Sequence, residues 1–414
     1  MELKKIFFIA LFSFLVLTAF SQEIYRTDDY VYVENVKSVK FYAGQNPLSF
    51  PISDINGSVP LRFEFDDLDG SYYRYYYKIV HCDMNWEISD LNESEYIRGY
   101  NGIEIRNYEN STFTIQQYTN YKFTIPNRDL RWAISGNYLL VVYDENREII
   151  ITRRFMISEN SLKVNAYVDR AKDVSKYHTH HSIKAELDIK DYYVVDPLKE
   201  FRVTVLQNYK WIEGVSNIAP KYLMGDNVSF DEFDPFLFWG LNEFHIMDFR
   251  SLRSTNIEIR SIEVKRSGVD IFLVEDRIRK YGNYFSHKDL NGNFLLLNLD
   301  HQGTQYSQYA NVHFSLKSSF IDRDVYVIGG FSEWQLYDEN KLEYDRETRS
   351  YRGSALLKQG VYDYYYALVD KDNNIDFASI EGSWFETEND YLILVYQRPF
   401  GGRYDKLAGY RIIE

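Results

Sequence analysis

Four short stretches of this chain bring together residue types that can do chemistry. His178-Thr179-His180-His181 is the first. On a strand His178 and His180 point to one face and can share a transition metal. Spacing marks no third ligand, so the expectation is a solvated strand face and no metal. His81-Cys82-Asp83 lines up a base, a thiol and a carboxylate. Neighbours on a strand face opposite ways, and catalytic cysteine sites are assembled from distant parts of a chain. The expected arrangement has Cys82 pointing inward, Trp86 covering it and Asp83 starting a turn.

Asp370-Lys371-Asp372-Asn373-Asn374-Ile375-Asp376 carries oxygen donors at alternate positions, as a calcium loop does. Ile375 stands where such a loop needs glycine, and no glutamate arrives at the closing spacing. A hairpin tip fits better. Gly329-Gly330 leads into a β turn instead of a helix, so no anion-binding helix N-terminus and no nucleotide cofactor is implied. Among 61 Asp and Glu residues no motif nominates a hydrolytic pair. The chain therefore reads as a non-enzyme without a cofactor.

The elements around these stretches are strands. Leu61 to Phe65, Ser71 to Val80, Asn137 to Tyr143, Phe201 to Leu206 and Asp324 to Ile328 are alternating or fully apolar runs. Asn56-Gly57, Asp69-Gly70, Asn101-Gly102 and Asn291-Gly292 are hairpin signals. The class is all-β, built from tandem immunoglobulin-like and early-set sandwiches. Expected domains are residues 30–157, ending in the hairpin of Ser135 to Ile157, then 160–310 and 318–414.

At the N-terminus Lys4 and Lys5 precede an apolar run from Ile6 to Phe20 and then Ser21. This reads as a signal peptide over residues 1–21, because the run is shorter than the ~20 residues of a membrane span. The formal charge is -14, and removing Lys4, Lys5 and Glu2 with that segment takes it to -15. An acidic surface disfavours nucleic acid and anionic lipid. Cys82 is the single cysteine, which excludes an internal disulfide and suits a buried thiol. Aromatic residues make up 17% of the chain, with 38 tyrosines, which suits strands and contact surfaces alike.

The third expected domain runs from Val325-Tyr326-Val327-Ile328-Gly329-Gly330-Phe331-Ser332-Glu333-Trp334 to Gly360-Val361-Tyr362-Asp363-Tyr364-Tyr365-Tyr366. This order resembles the early-set sandwich of glycogen-binding modules. Trp334 then has two readings, sealing the sheet or stacking on a sugar, and the second makes a cell-envelope carbohydrate-binding protein the alternative function.

Two further signatures lie at opposite ends of the chain. One is Tyr77-Lys78-Ile79-Val80-His81-Cys82-Asp83-Met84-Asn85-Trp86, followed by Glu95-Tyr96, Gly99, Tyr118, Tyr121, Pro126 and Ser135-Gly136-Asn137-Tyr138. The other spans Glu381 to Tyr410, with a strand from Tyr391 to Tyr396 that reads as fully buried or edge-paired, a Pro399-Phe400-Gly401-Gly402 turn and Arg403-Tyr404-Asp405. Together they resemble the plug proteins of the type IX secretion system. The resemblance implies a periplasmic protein at the inner face of the outer membrane, closing the periplasmic mouth of a large outer-membrane β-barrel translocon. It implies a monomer within a hetero-complex and no small-molecule substrate. Candidate docking residues are Trp384, Phe385, Tyr391, Tyr396, Arg398, Phe400, Arg403 and Tyr404, with a place in the core of the last sandwich as their other reading.

Overall fold

The computed structural model describes residues 25–414, so the expected signal segment lies outside the described residues. The chain is all-β, and three sandwiches account for its four large sheets. A ten-stranded sheet is shared by the first two sandwiches. Its order runs Val215–Ile218, Phe201–Gln207, Tyr391–Gln397, Lys406–Ile413, Ile149–Ser158, Gly136–Asp144, Tyr75–Cys82 and Ile103–Glu104. One parallel pair, Ser158 with Leu407, joins its halves. Glu159 N–H donates to the Leu407 carbonyl at 2.9 Å beside it. A side chain on Gly409 would meet the Leu162 carbonyl at 2.6 Å, so glycine permits this close approach.

In the first sandwich a four-stranded sheet, built on Val36–Ala43, Leu61–Asp67 and Thr119–Ile125, covers one half. Phe63, Phe65, Tyr77, Tyr121, Tyr138 and Phe155 fill the gap. In the second, a five-stranded sheet built on Lys163–Arg170 and His180–Asp188 covers the other half. The run from Tyr391 lacks alternation because both of its faces are buried. Tyr391, Ile393 and Val395 enter the core of the second sandwich. Leu392, Leu394 and Tyr396 face the opposite layer with Cys82, Leu139 and Val141. The third sandwich is an eleven-stranded sheet curled around one core that includes Met247, Ile271, Val312, Val327 and Tyr366.

This topology departs from the expected boundaries. Strands Tyr391–Gln397 and Lys406–Ile413 do not join the third sandwich but pair beside Phe201–Gln207. Strands from His245–Asp248 to Phe294–Leu296, expected in the second domain, lie in the third sheet. A strand apolar on both sides needs a neighbour on each edge and a layer on each face, and the ten-stranded sheet supplies both. The third sandwich is thus inserted into the second.

The four Asx-Gly pairs are turns but not hairpins. Gly57, Gly70, Gly102 and Gly292 have φ of +70°, +66°, +85° and +81°. The strands around them go to different partners. Ile52–Asp54 pairs with Ile149–Ser158, for example, while Leu61–Asp67 pairs with Val36–Ala43. A true hairpin, Gly136–Asp144 with Ile149–Ser158, is closed instead by the Asp144 carboxylate, which accepts the N–H groups of Asn146 and Glu148.

Buried polar contacts join the first and third sandwiches. Lys358 Nζ lies 2.7 Å from Asp66 Oδ2, which also accepts the Tyr309 hydroxyl at 2.7 Å. Arg153 pairs with Glu333 at 2.5 Å, and burial pushes the Glu333 carboxyl up to about 7. Lys40 donates to Asn293 and to the Phe294 carbonyl, and burial pulls its ammonium down to about 7. Such contacts hold only in one relative placement of the two sandwiches.

Candidate docking surface

Three of the four stretches with chemical potential, those at His178, His81 and Asp370, are spent on structure. His178 lies before the strand His180–Asp188, so the expected pair of histidines on one strand face does not form. His180 packs on the Trp239 ring at 4.0 Å. His181 is buried, with Nε2 2.7 Å from the Phe385 carbonyl and Nδ1 2.7 Å from the Tyr391 hydroxyl. Because that carbonyl can only accept, Nε2 carries the proton and Nδ1 accepts from tyrosine. Among the described residues no group of three or more His, Cys, Asp or Glu side chains is placed to hold a metal.

Cys82 is fully buried, and burial pushes its thiol up to about 12, the opposite of an activated nucleophile. Trp86 shares its apolar layer. His81 faces the other way, against Tyr138 and Tyr404, and burial pulls it down to about 4. Asp83 Oδ1 accepts the N–H groups of Asn85 and Glu87, closing the expected turn. Asp370 does the same for Asp372 and Asn374, leaving a hairpin tip.

Trp334 is half-buried, with its ring against Gly292, where a Cβ would come within 2.6 Å, and edge-on to Phe244 at 6.0 Å. Packing, and not an open platform, is its role here.

The proposed docking residues separate into three sets. Tyr391 and Tyr396 are core, at 0% and 1% exposed, which corrects their candidacy. Their hydroxyls are taken by His181 and by Asn137 Oδ1. Trp384 and Phe385 precede the strand Tyr391–Gln397 and are half-buried, Phe385 lying under the Arg170 guanidinium at 3.9 Å. Arg398, Phe400, Arg403 and Tyr404 follow that strand. Seven residues at ~3.3 Å each put roughly 20 Å between the second set and the third.

The third set forms a rigid surface loop. Arg398 clamps its base, with Nε and Nη2 at 2.7 and 2.6 Å from the two oxygens of Asp405, which hold the guanidinium above its usual range. Asp405 also accepts the Met84 N–H across the sheet. Arg403 reaches Glu95 Oε1 at 2.7 Å and the Asp90 carbonyl at 2.5 Å. Glu95 is held below the usual carboxylate range, first by the Asn92 N–H and then by Arg403. Tyr404 packs edge-on to His81 at 5.7 Å. Phe400 projects from the tip at 94% exposure.

Ile88 and Tyr100, on segments flanking Asp90 and Glu95, are 52% and 78% exposed and were not among the sequence candidates. Isolated apolar residues in polar loops carry no periodic signal; Arg403 contacts Asp90 and Glu95, which lie on the same segments.

Residues 36–159 match the family model described as type 9 secretion system plug protein 1st domain. A crystal structure of a hypothetical protein from Parabacteroides merdae is similar over 94% of this chain and 100% of that one, with a TM-score of 0.90 and 28% identity. No curated protein matches. The first sandwich is thus similar to the first domain of type 9 secretion system plug proteins, which ties this part of the chain to type IX secretion.

Proposed function

We propose that this protein is the periplasmic plug that seats on the periplasmic opening of the outer-membrane translocon barrel and occludes it. The observation that carries this reading is the family match over the first sandwich, residues 36–159. Its physical support is the stiffness of the body. A seal over a wide aqueous channel needs a rigid block with a broad face and no catalytic group. A shared ten-stranded sheet and the buried contacts at Asp66 and Arg153 hold the sandwiches as such a block.

The loop carrying Phe400 and Arg403, joined through Arg403 to the segment of Asp90 and Glu95, is the part of the docking face we assign. It presents rings and a guanidinium at low ordering cost, because Arg398 and Arg403 already fix its backbone. A stable contact buries on the order of 1,600 Å² in total, so this loop supplies anchors within a larger footprint. Cargo that favours the unplugged state by a few kcal/mol would shift the population.

Affinity purification of the tagged chain from its native envelope tests the reading. Recovery of a very large outer-membrane barrel supports it, and repeated purification without any such barrel refutes it. Replacing both anchors, Phe400→Ser with Arg403→Glu, is expected to reduce barrel recovery by roughly tenfold or more, as loss of a hot spot does. Undiminished recovery would place the docking face elsewhere.

A further inference from the structure

Between the second and third sandwiches runs a groove of about 630 Å³. Its lining includes four aromatic residues; Phe377 is buried at its base, and Trp239, Tyr281 and Trp384 come from three separate segments. Trp239 is 45% exposed and backed by the His180 ring at 4.0 Å. Trp384 lies over Gly382, whose φ is +78°, and a Cβ there would come within 2.4 Å of the indole. Tyr281, on the adjacent turn, is 86% exposed. Two rings are therefore fixed from behind, so a ligand need not freeze them.

The backbone around the groove is already paired. Gly240 N–H donates to the Thr179 carbonyl, Trp384 N–H to Leu241 and Lys280 N–H to Ile380, each at 2.9 Å. These segments offer no free strand edge for an extended peptide to join. The remaining recognition groups are ring faces and a few polar ends, with the Lys280 ammonium and the Glu213 and Asp376 carboxylates in the lining. Both carboxylates are already paired, Glu213 with Lys210 at 3.1 Å and Asp376 with Arg323 at 2.9 Å, so the groove presents no cluster of one charge sign to select an ion. Amphipathic rings with a few polar ends suit a ligand that has apolar C–H faces and hydroxyl edges.

We infer that this groove is a binding site for a neutral glycan, with one sugar ring stacked on Trp239, another near Trp384, and hydroxyls bonded by Lys280 and Glu213. It is independent of the occlusion reading and lies apart from the Phe400 loop.

The test titrates the full chain with chitohexaose and, separately, with maltoheptaose, following tryptophan fluorescence and heat. These distinguish an N-acetylated from a plain glucose polymer as the source. Saturable binding of one of them with Kd at or below about 1 mM is expected. Trp239→Ala should weaken it at least tenfold, Trp239→Phe should restore part of it, and Phe400→Ser should leave it unchanged. Unaltered unfolding midpoints of these variants exclude misfolding as the cause. No saturable signal with either glycan, or binding indifferent to both Trp239→Ala and Trp384→Ala, overturns the inference.

Discussion

At the junction of the first and third sandwiches, Lys358 and Asp66 lie 2.7 Å apart with side chains 2% and 1% exposed. At the loop between the last two strands, Arg403 reaches Glu95 across the same 2.7 Å with side chains 56% and 36% exposed. Equal distances carry unequal consequences. In the dry junction each charge depends on its partner, because water cannot replace it. In the wet loop water and salt compete for both, so the pair orients the chain without holding the fold. One region keeps the body rigid, and the other is free to be spent on a partner.

The largest expected effect is therefore at Asp66. Asp66→Ala strips Lys358 and Tyr309 of their acceptor and should cost about 3–5 kcal/mol of unfolding free energy in denaturant titration. Lys358 has the Tyr118 ring 4.0 Å away as its other contact, which cannot replace a carboxylate. Combining Asp66→Ala with Lys358→Met should recover most of that loss, because no charge is then stranded. If the double variant is as unstable as the single one, packing and not charge governs the junction.

A second buried set lies inside the third sandwich. His245 stands 3.1 Å from both Asp276 Oδ1 and Glu381 Oε2, with Arg279 also on Glu381 at 2.5 Å and the Tyr364 and Tyr366 hydroxyls on Asp276. Burial and Arg279 oppose the imidazolium, but the two carboxylates win and raise it to about 9 from 6.5. Since the folded value is the higher, this stabilisation is complete below about pH 6.5 and is lost as pH rises through about 9. The stability gap between the wild-type chain and His245→Gln should be on the order of 2–3 kcal/mol at pH 6 and shrink by pH 9.5. A gap that is flat across that range would mean the histidine is neutral when folded.

Both networks show where sequence reading stops. The unbroken apolar run of Tyr391 to Tyr396 left full burial and edge pairing both open, and the structure places it inside the ten-stranded sheet. Which strands flank it was not legible, because pairing with Phe201–Gln207 is decided by contacts nearly two hundred residues apart. Asp66 follows the alternating run Leu61–Phe65 and looks like the start of a solvated turn. Only the third sandwich, packed against it, turns it into a buried partner. Two of the eight docking candidates are core for the same reason: Tyr391 and Tyr396 have the residue type of a contact face, but hydroxyls satisfied by His181 and Asn137 belong to a core. The Arg403-Tyr404-Asp405 triplet does not pair within itself: Arg403 reaches Glu95 in water, while Asp405 is buried and held by Arg398 and the Met84 N–H, partners the local sequence does not announce.

The smallest expected effect completes the contrast. Arg403→Ala removes the contacts to Glu95 and to the Asp90 carbonyl, yet the Arg398–Asp405 clamp at the base of the loop remains. The unfolding midpoint should stay at the wild-type value within error, at low and at high salt. If the loop docks as proposed, recovery of the barrel should nevertheless fall. If the midpoint drops while recovery holds, the loop belongs with the junction as part of the fold, and the partner must touch some other face.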